Sequence, residues 1–305
     1  MIDYNISHHA EDRVRNRISF LYIEKARIDR EDAAICAVQG EYVTPIPIAS
    51  LSCLMLGPGT SVTHRAISAM TDSNCLCIWC GEKLRSFYAS GNTSGRSSKN
   101  LLLQAKYHQD QTLHMQVIRK MYEKRFPGLR VKGMSLEIMR GAEGLRMQEL
   151  YKQMSKEYCV PWEARKYDVA EWDLQDDINR CLSVANVYFY HIVHSVILTL
   201  GYSPALGFIH TGLMESFVFD IADLYKSDLT IPAAFEFVSK GYSDYSDLRR
   251  LIRTKMYEQK IMEKLVKDIS DLFDNADTDI IVSTQNLLWG KTTEAAGGKN
   301  YAFKA

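Results

Sequence analysis

Across SGNTSGRSSKN, Ser90 to Asn100, the hydrophobic pattern of this 305-residue chain changes period. Before it, from about Arg17, come short runs: RISFLYIE, AAICAVQ, EYVTPIPI, LSCLMLG, CLCIWC and LRSFYAS. They are rich in β-branched, aromatic and apolar residues and are punctuated by Gly, Pro and Asp, which is strand composition. After it, apolar residues recur with helical spacing over 100–126, 134–157, 172–200, 216–228, 231–240 and 245–274. The segment itself has two glycines, a set of small hydroxyl side chains and no large apolar residue, which is linker composition. The expected fold class is therefore α+β: a small N-terminal β-rich domain (1–90), a linker (91–100), a larger mainly α-helical domain (101–275) and a C-terminal tail (276–305). One short helix, Val62 to Met70, interrupts the strands after the turn Gly57-Pro58-Gly59, with Ser61 or Thr63 as its cap. The tail holds one candidate strand in DTDIIVSTQNLLWG; it either docks on a partner or stays unstructured.

Lys+Arg and Asp+Glu both number 37, so the overall balance is neutral and any nucleic-acid site has to be a local patch. Seven cysteines, with no basic-then-apolar N-terminal signal pattern, place the chain in a reducing cytoplasm. Cys75, Cys77 and Cys80 have the look of zinc ligands, but NCLCIWCGE also reads as a buried strand using cysteine as a small hydrophobe, and no second knuckle follows. The longest apolar run, Val184 to Leu200, is broken by His191 and His194. That argues against a membrane span, and the two histidines read as packed core rather than as a metal pair.

The stretch GYSPALGFIHTGLMESFVFDIADLYKSDL sets His210 in a glycine-flanked loop and Asp220 and Asp223 at i, i+3 on a helix, within an otherwise apolar segment. Charges there are costly without partners, so either they build a site or they are a helix-dipole carboxylate pair beside a satisfied histidine. Upstream, Glu143 lies between Gly141 and Gly144 in a helical pattern. Two helical glycines cost about 1 kcal/mol each relative to alanine, which suggests close approach of another backbone or a substrate. Carboxylates with an imidazole suit Mg2+ or Mn2+ and phosphate chemistry.

The blocks RGAEGLR (140–146), GFIHTG (207–212) and SFVFDIADLYK (216–226) resemble those of the CRISPR-associated integrase family, "protein one" of spacer acquisition. So does the ordered run Trp162, Arg165, Tyr167, Asp168, Trp172, Asp177 and Asn179. IDREDAAICAV, LMLGPGTSVTHRAI and FYASG resemble its N-terminal domain, the last two in the subtype that accompanies Cascade-type interference. The resemblance implies that Glu143, His210 and Asp223 hold Mg2+ or Mn2+, with Asp220 binding weakly or acting from behind. It implies a prokaryotic DNA integrase and endonuclease, in which a 3′-hydroxyl of a double-stranded protospacer attacks a repeat-boundary phosphodiester. It also implies a homodimer working with a small ferredoxin-like partner, "protein two". The alternatives are a stand-alone nuclease for branched DNA and a catalytically silent DNA-binding scaffold.

Arg249, Arg250, Arg253 and Lys255 fall within two helical turns and suit phosphates, or else form a solvated face; Arg249 and Arg253 are taken as DNA contacts. Arg119, Lys120, Lys124 and Arg125 make a similar cluster diluted by Glu123. Arg165 and Tyr167 are candidates for positioning phosphates or end nucleotides, and Asn179 for orienting a ligand.

Overall fold

The computed structural model describes residues 18–31, 34–48, 51–73, 75–82, 87–91, 98–166, 176–273, 287–289 and 294–296. Strands β1 (Ile18–Ile23), β5 (Leu51–Leu56), β7 (Leu76–Cys80) and β8 (Phe87–Gly91) form one sheet in that order. Its first three strands are parallel and β8 is antiparallel. A second sheet runs β4 (Tyr42–Ile46), β3 (Ala34–Gln39), β2 (Arg27–Glu31), β6 (Ser61–Val62).

Side chains alternate across a strand, and β5 shows what that does here. Leu54 and Leu56 join Ile28, Ile35 and Ile46 of the second sheet in one core, while Cys53 and Met55 enter the core of the helical region. Strand β7 divides the same way, Cys77 to the first core, Leu76, Ile78 and Cys80 to the second. A parallel sheet buried on both faces explains why these strands read as unbroken apolar runs. The cysteines in them are buried thiols, and burial pushes Cys77 and Cys80 up to about 12. Helix α1 (His64–Asp72) closes the first core with Ala66 and Met70. It begins after Thr63, whose Oγ1 accepts from Ala66 N at 3.3 Å and donates to Asp29 Oδ1 at 2.8 Å.

Beyond residue 98 the described elements up to 273 are helices: α2 (Lys99–Gln109), α3 (Gln111–Arg125), α4 (Leu136–Tyr158), α5 (Asp177–Thr199), α6 (Ser216–Asp223), α7 (Thr230–Ser239), α8 (Tyr245–Glu258) and α9 (Ile261–Leu272). Two expected single helices are each split. Asp110 ends α2 and caps α3 by accepting from Thr112 N and Leu113 N. Lys260, at φ 53°, turns left-handed between α8 and α9. The expected helix 216–228 stops at Asp223.

Helix α5 is the hub. It packs on α6, α7, α8 and α9 and on β5 and β7. By length and composition it is apolar enough to cross a membrane, but it is buried in the fold. His191 and His194 are inside it; burial depresses His191 to about 4, partly offset by Glu215, so that ring is neutral. In the tail, β9 (Leu287–Trp289) and β10 (Glu294–Ala296) pair as an antiparallel hairpin, two strands where one was expected. Tyr167, Asp168 and Trp172, most of the tail and residues 92–97 of the linker lie outside the described residues.

Candidate active site

The segment from Ser203 to His210 is tied down on both sides. Gln104, buried on α2, donates to Ser203 O and Leu206 O and accepts from Ser203 N. Phe217 N donates to Pro204 O at 2.8 Å, which joins the start of α6 to the loop. Gly207 permits the close approach that follows: a Cβ there would lie 2.3 Å from His210 O and 2.7 Å from Ser216 Cβ.

Asp220, wholly buried on α6, gathers the loop around its carboxylate. Oδ2 accepts from Phe208 N (2.5 Å) and Ile209 N (3.1 Å), and Oδ1 accepts from His210 N (2.8 Å) and His210 Nδ1 (2.7 Å). Three successive backbone amides around an anion form a nest. Both oxygens are consumed, so Asp220 acts on the site through the loop rather than by offering an oxygen to an ion. Because a carboxylate accepts, His210 Nδ1 carries the proton and the neutral ring leaves Nε2 as its open nitrogen. The Asp220 bond raises the His210 pKa, burial lowers it, and Asp223 raises it again.

Glu143 arrives from α4 and Asp223 from the end of α6, and both meet groups on or near α3. Arg125 Nη1 donates to Glu143 Oε1 and lies 3.4 Å from Asp223 Oδ2. Tyr122, one turn earlier, donates to Glu143 Oε2 at 2.7 Å. Lys226 Nζ stands 2.5 Å from Asp223 Oδ1 and 4.8 Å from the centre of the Tyr190 ring. Burial on its own would raise the Asp223 carboxyl, but Lys226 and then Arg125 outweigh it and hold Asp223 below the usual carboxylate range. Arg140 Nη2 donates to Ile209 O at 2.9 Å, fixing α4 to the histidine loop.

In donor chemistry this set fits a hard dication: two carboxylates from separate elements and an imidazole with an open nitrogen. In arrangement the three are not gathered on one point. Among the described residues no three His, Cys, Asp or Glu groups are placed to share a metal. The position between Glu143 and Asp223 is filled by the Arg125 guanidinium.

Other expectations resolve residue by residue. Gly141 and Gly144 meet no atom within 4 Å of an added Cβ, so close approach within this chain is not their reason; both face open space. Arg165 is turned inward: Nη1 donates to Asn179 Oδ1 at 2.9 Å and Nη2 to Ser183 Oγ at 2.9 Å. Asn179 also accepts from Lys166 N and donates to Ala164 O and Asp176 Oδ2, so it clamps the start of α5 to the segment before it. The Arg249 guanidinium lies over the Tyr22 ring at 5.5 Å, joining α8 to β1, whereas Arg253 is exposed. In the cluster on α3, Lys120 donates to Asp271 O and Leu272 O, and Lys124 pairs with Asp268 and Asp271.

The sequence reading missed Tyr122 and Lys226 as site residues and left Arg125 in a basic cluster between a phosphate role and a solvated face. The signals were present as i, i+3 spacings, Tyr122 with Arg125 and Asp223 with Lys226. What lacked a signal was the meeting of α3 with α4 and α6.

A family model described as CRISPR associated protein Cas1 matches residues 129–270, which include Glu143, His210, Asp220 and Asp223. The chain is 40% identical over 262 residues to CRISPR-associated endonuclease Cas1 2 of Thermus thermophilus, covering 86% of this chain and 81% of the relative. It is 37% identical over 261 residues to CRISPR-associated endonuclease Cas1 of Escherichia coli, covering 85% and 86%. Its fold superposes on the crystal structure of a TtCas1-DNA complex with a TM-score of 0.68 at 40% identity, covering 86% of this chain and 98% of that one. Similarity of this extent across both the strand-rich and the helical region shows that the chain belongs to the Cas1 family of CRISPR-associated proteins.

Proposed function

We propose that this chain is a divalent-metal-dependent DNA integrase and endonuclease that inserts protospacer DNA into a CRISPR array. The observation that carries the reading is the convergence of Glu143 and Asp223, from different elements, on one cation beside an imidazole whose Nδ1 is fixed by a buried carboxylate. Glu143, Asp223 and His210 Nε2 are the residues that hold Mg2+ or Mn2+. Bound there, the ion supplies Lewis acidity for attack of a 3′-hydroxyl on a repeat-boundary phosphodiester. In the exchange the hydroxyl loses its proton, a new P–O bond forms, and the old one breaks to free a 3′-hydroxyl end. Water in place of the 3′-hydroxyl gives hydrolysis.

The chain's own residues prepare this chemistry. Asp220 selects the His210 tautomer and shapes its loop, Lys226 keeps Asp223 ionised, Tyr122 steadies Glu143, and Arg140 fixes the distance between α4 and the loop. The DNA complex of TtCas1 and the endonuclease names of the relatives support DNA as the substrate class. Exposed Arg253 is the phosphate contact on α8; Arg249 and Arg165 instead hold the fold, one over Tyr22 and the other on Asn179 and Ser183. The partners are double-stranded protospacer DNA with 3′ ends, CRISPR repeat DNA, a second copy of the chain, and a small ferredoxin-like adaptation protein. Tyr42 and Val43 on edge strand β4, both well exposed, support pairing through the strand-rich region. The compartment is the prokaryotic cytoplasm.

The test is joining of a labelled double-stranded fragment to a repeat-bearing plasmid. Joined product requires Mg2+ or Mn2+ and disappears in Asp223→Ala; full activity of that variant would sink the assignment. Short hydrolysis products without joined product would indicate a stand-alone nuclease, and DNA binding without turnover a scaffold.

A further inference from the structure

Arg125 is an unusual partner for two acidic groups. Its side chain is 7% exposed, and it ends α3 with its guanidinium 5.0 Å from the Phe126 ring centre. A single nitrogen, Nη1, serves both Glu143 and Asp223. Nη2 faces only the Met147 thioether, at 3.6 Å, and Nε is buried with no hydrogen-bond partner among the described residues. Arginine kept as a permanent buried partner is normally forked onto a carboxylate through two parallel bonds, with its remaining donors satisfied. Here only one arm of the fork meets oxygen.

The carboxylates, by contrast, are anchored independently of it. Tyr122 holds Glu143 Oε2 and Lys226 holds Asp223 Oδ1, so each keeps a partner if the guanidinium leaves. The oxygens turned toward Arg125 are the ones left for a different cation.

We propose that Arg125 is an exchangeable counter-cation: it occupies the place between Glu143 and Asp223 in the metal-free protein and withdraws when a divalent ion binds. This rests on the reading of Glu143 and Asp223 as metal ligands and adds to it a built-in competitor. Metal binding is then a cation-for-cation exchange, and the apparent affinity is reduced by the fraction of molecules in which the guanidinium holds the site. Without a metal the guanidinium offsets the mutual repulsion of the two carboxylates, which their other partners do not remove. It leaves without breaking a bidentate bond.

The experiment compares the full chain with Arg125→Met, whose unbranched side chain suits the Phe126 and Met147 surroundings, and with Arg125→Lys, which retains a charge. Free Mn2+ is followed by electron paramagnetic resonance during titration, and thermal midpoints are recorded with and without Mn2+. Exchange predicts that Arg125→Met binds Mn2+ at least about tenfold more tightly than the wild type. It also predicts a lower midpoint for that variant without metal and a larger rise on adding Mn2+, with Arg125→Lys nearer to wild type in both. If the methionine variant does not fold without metal, Arg125→Gln replaces it, with the same expectation. Unchanged or weaker Mn2+ binding in a folded neutral variant would overturn the exchange and leave the metal site standing. No Mn2+ binding by wild type or variants would overturn the metal site itself, and the exchange with it.

Discussion

Replacing Asp220 by asparagine exchanges one oxygen for an amino group at almost constant volume, in a position where four donors converge. The amide keeps one acceptor and presents a donor to the other pair. Phe208 N and Ile209 N belong to the tightly built side of the loop, so the least costly arrangement leaves the amide oxygen with them and turns the NH2 toward His210. The imidazole accommodates this by moving its proton from Nδ1 to Nε2, since its side chain is 43% exposed and Nε2 is its open edge. The His210 backbone N–H has no such freedom and loses its acceptor, at about 1–3 kcal/mol. The two retained bonds lose their charge assistance, which adds about 1 kcal/mol, and relief of a buried charge returns part of that. A net loss of roughly 1–4 kcal/mol, at about 2–4 °C per kcal/mol for a chain of this size, corresponds to a fall of several degrees in thermal midpoint.

The functional consequence is larger than the stability loss. With the proton on Nε2 the nitrogen proposed to hold the metal is blocked, and disturbing such a carboxylate–histidine pair costs about 10–100-fold in metal affinity. Mn2+ titration well below the melting range measures this separately from the thermal midpoint of the metal-free protein. An Asp220→Asn protein that melts earlier but binds Mn2+ like the wild type would refute the link from Asp220 to the His210 tautomer. One that loses Mn2+ with no change in the metal-free midpoint would place Asp220 on the metal itself, against its four donors.

His210 has a folded pKa raised above its unfolded value, near 6.5, so its contribution to stability is complete below that value and is lost as pH rises through the folded pKa. Metal binding has the opposite sense, because the ligand is the neutral ring: Mn2+ affinity should increase with pH and reach half its plateau above 6.5, and an unshifted midpoint would contradict the Asp220 pairing. Asp223 is depressed, so its contribution is present above the unfolded carboxylate value and is lost as pH falls through the lower folded value, which acid titration of the Asp223→Asn protein against wild type would register. Gly207→Ala places a Cβ against His210 O and Ser216 Cβ and should cost several kcal/mol, on the order of 2–4, by denaturant melting. Gly141→Ala and Gly144→Ala enter open space on a helix and should stabilise by up to about 1 kcal/mol each, while weakening DNA binding if a DNA strand passes over that face.

The change of period across residues 90–100 was a sound guide to strands before and helices after, because each class has its own spacing of buried positions. The double-sided burial of β5 and β7 was also visible, as uninterrupted apolar runs. The break at Lys260 was not, since a left-handed lysine carries none of the glycine or asparagine signal that usually marks such a turn. At the site, i, i+3 spacing put Asp220 and Asp223 on one helix and made them look alike. Their separation into a loop organiser and a cation partner comes from what lies opposite each: three amides of the 208–210 segment in one case, Arg125 and Lys226 in the other. Flanking glycines made Glu143 a candidate, but only the family resemblance placed it with His210 and Asp223, because periodicity does not report which helices meet.

Charge counting ties these features together. Glu143 and Asp223 supply two negative charges and Arg125 and Lys226 two positive ones, so the metal-free cluster is balanced within the protein. Adding a dication with every side chain in place leaves that excess uncompensated. At an effective dielectric of about 20, unit charges ~4 Å apart interact by about 4 kcal/mol, so a dication next to an unmoved guanidinium meets repulsion on the order of 8 kcal/mol. Lys226 cannot be the group that yields, because it is held by Asp223 and by the Tyr190 ring and keeps Asp223 ionised. Arg125 meets carboxylate oxygen through Nη1 alone, has Nη2 only on a thioether and leaves Nε unpartnered among the described residues, so it is the cation with least to lose by moving. The asymmetry between the two basic residues therefore sets the order of events: Lys226 prepares the ligand, and Arg125 gives way to the ion.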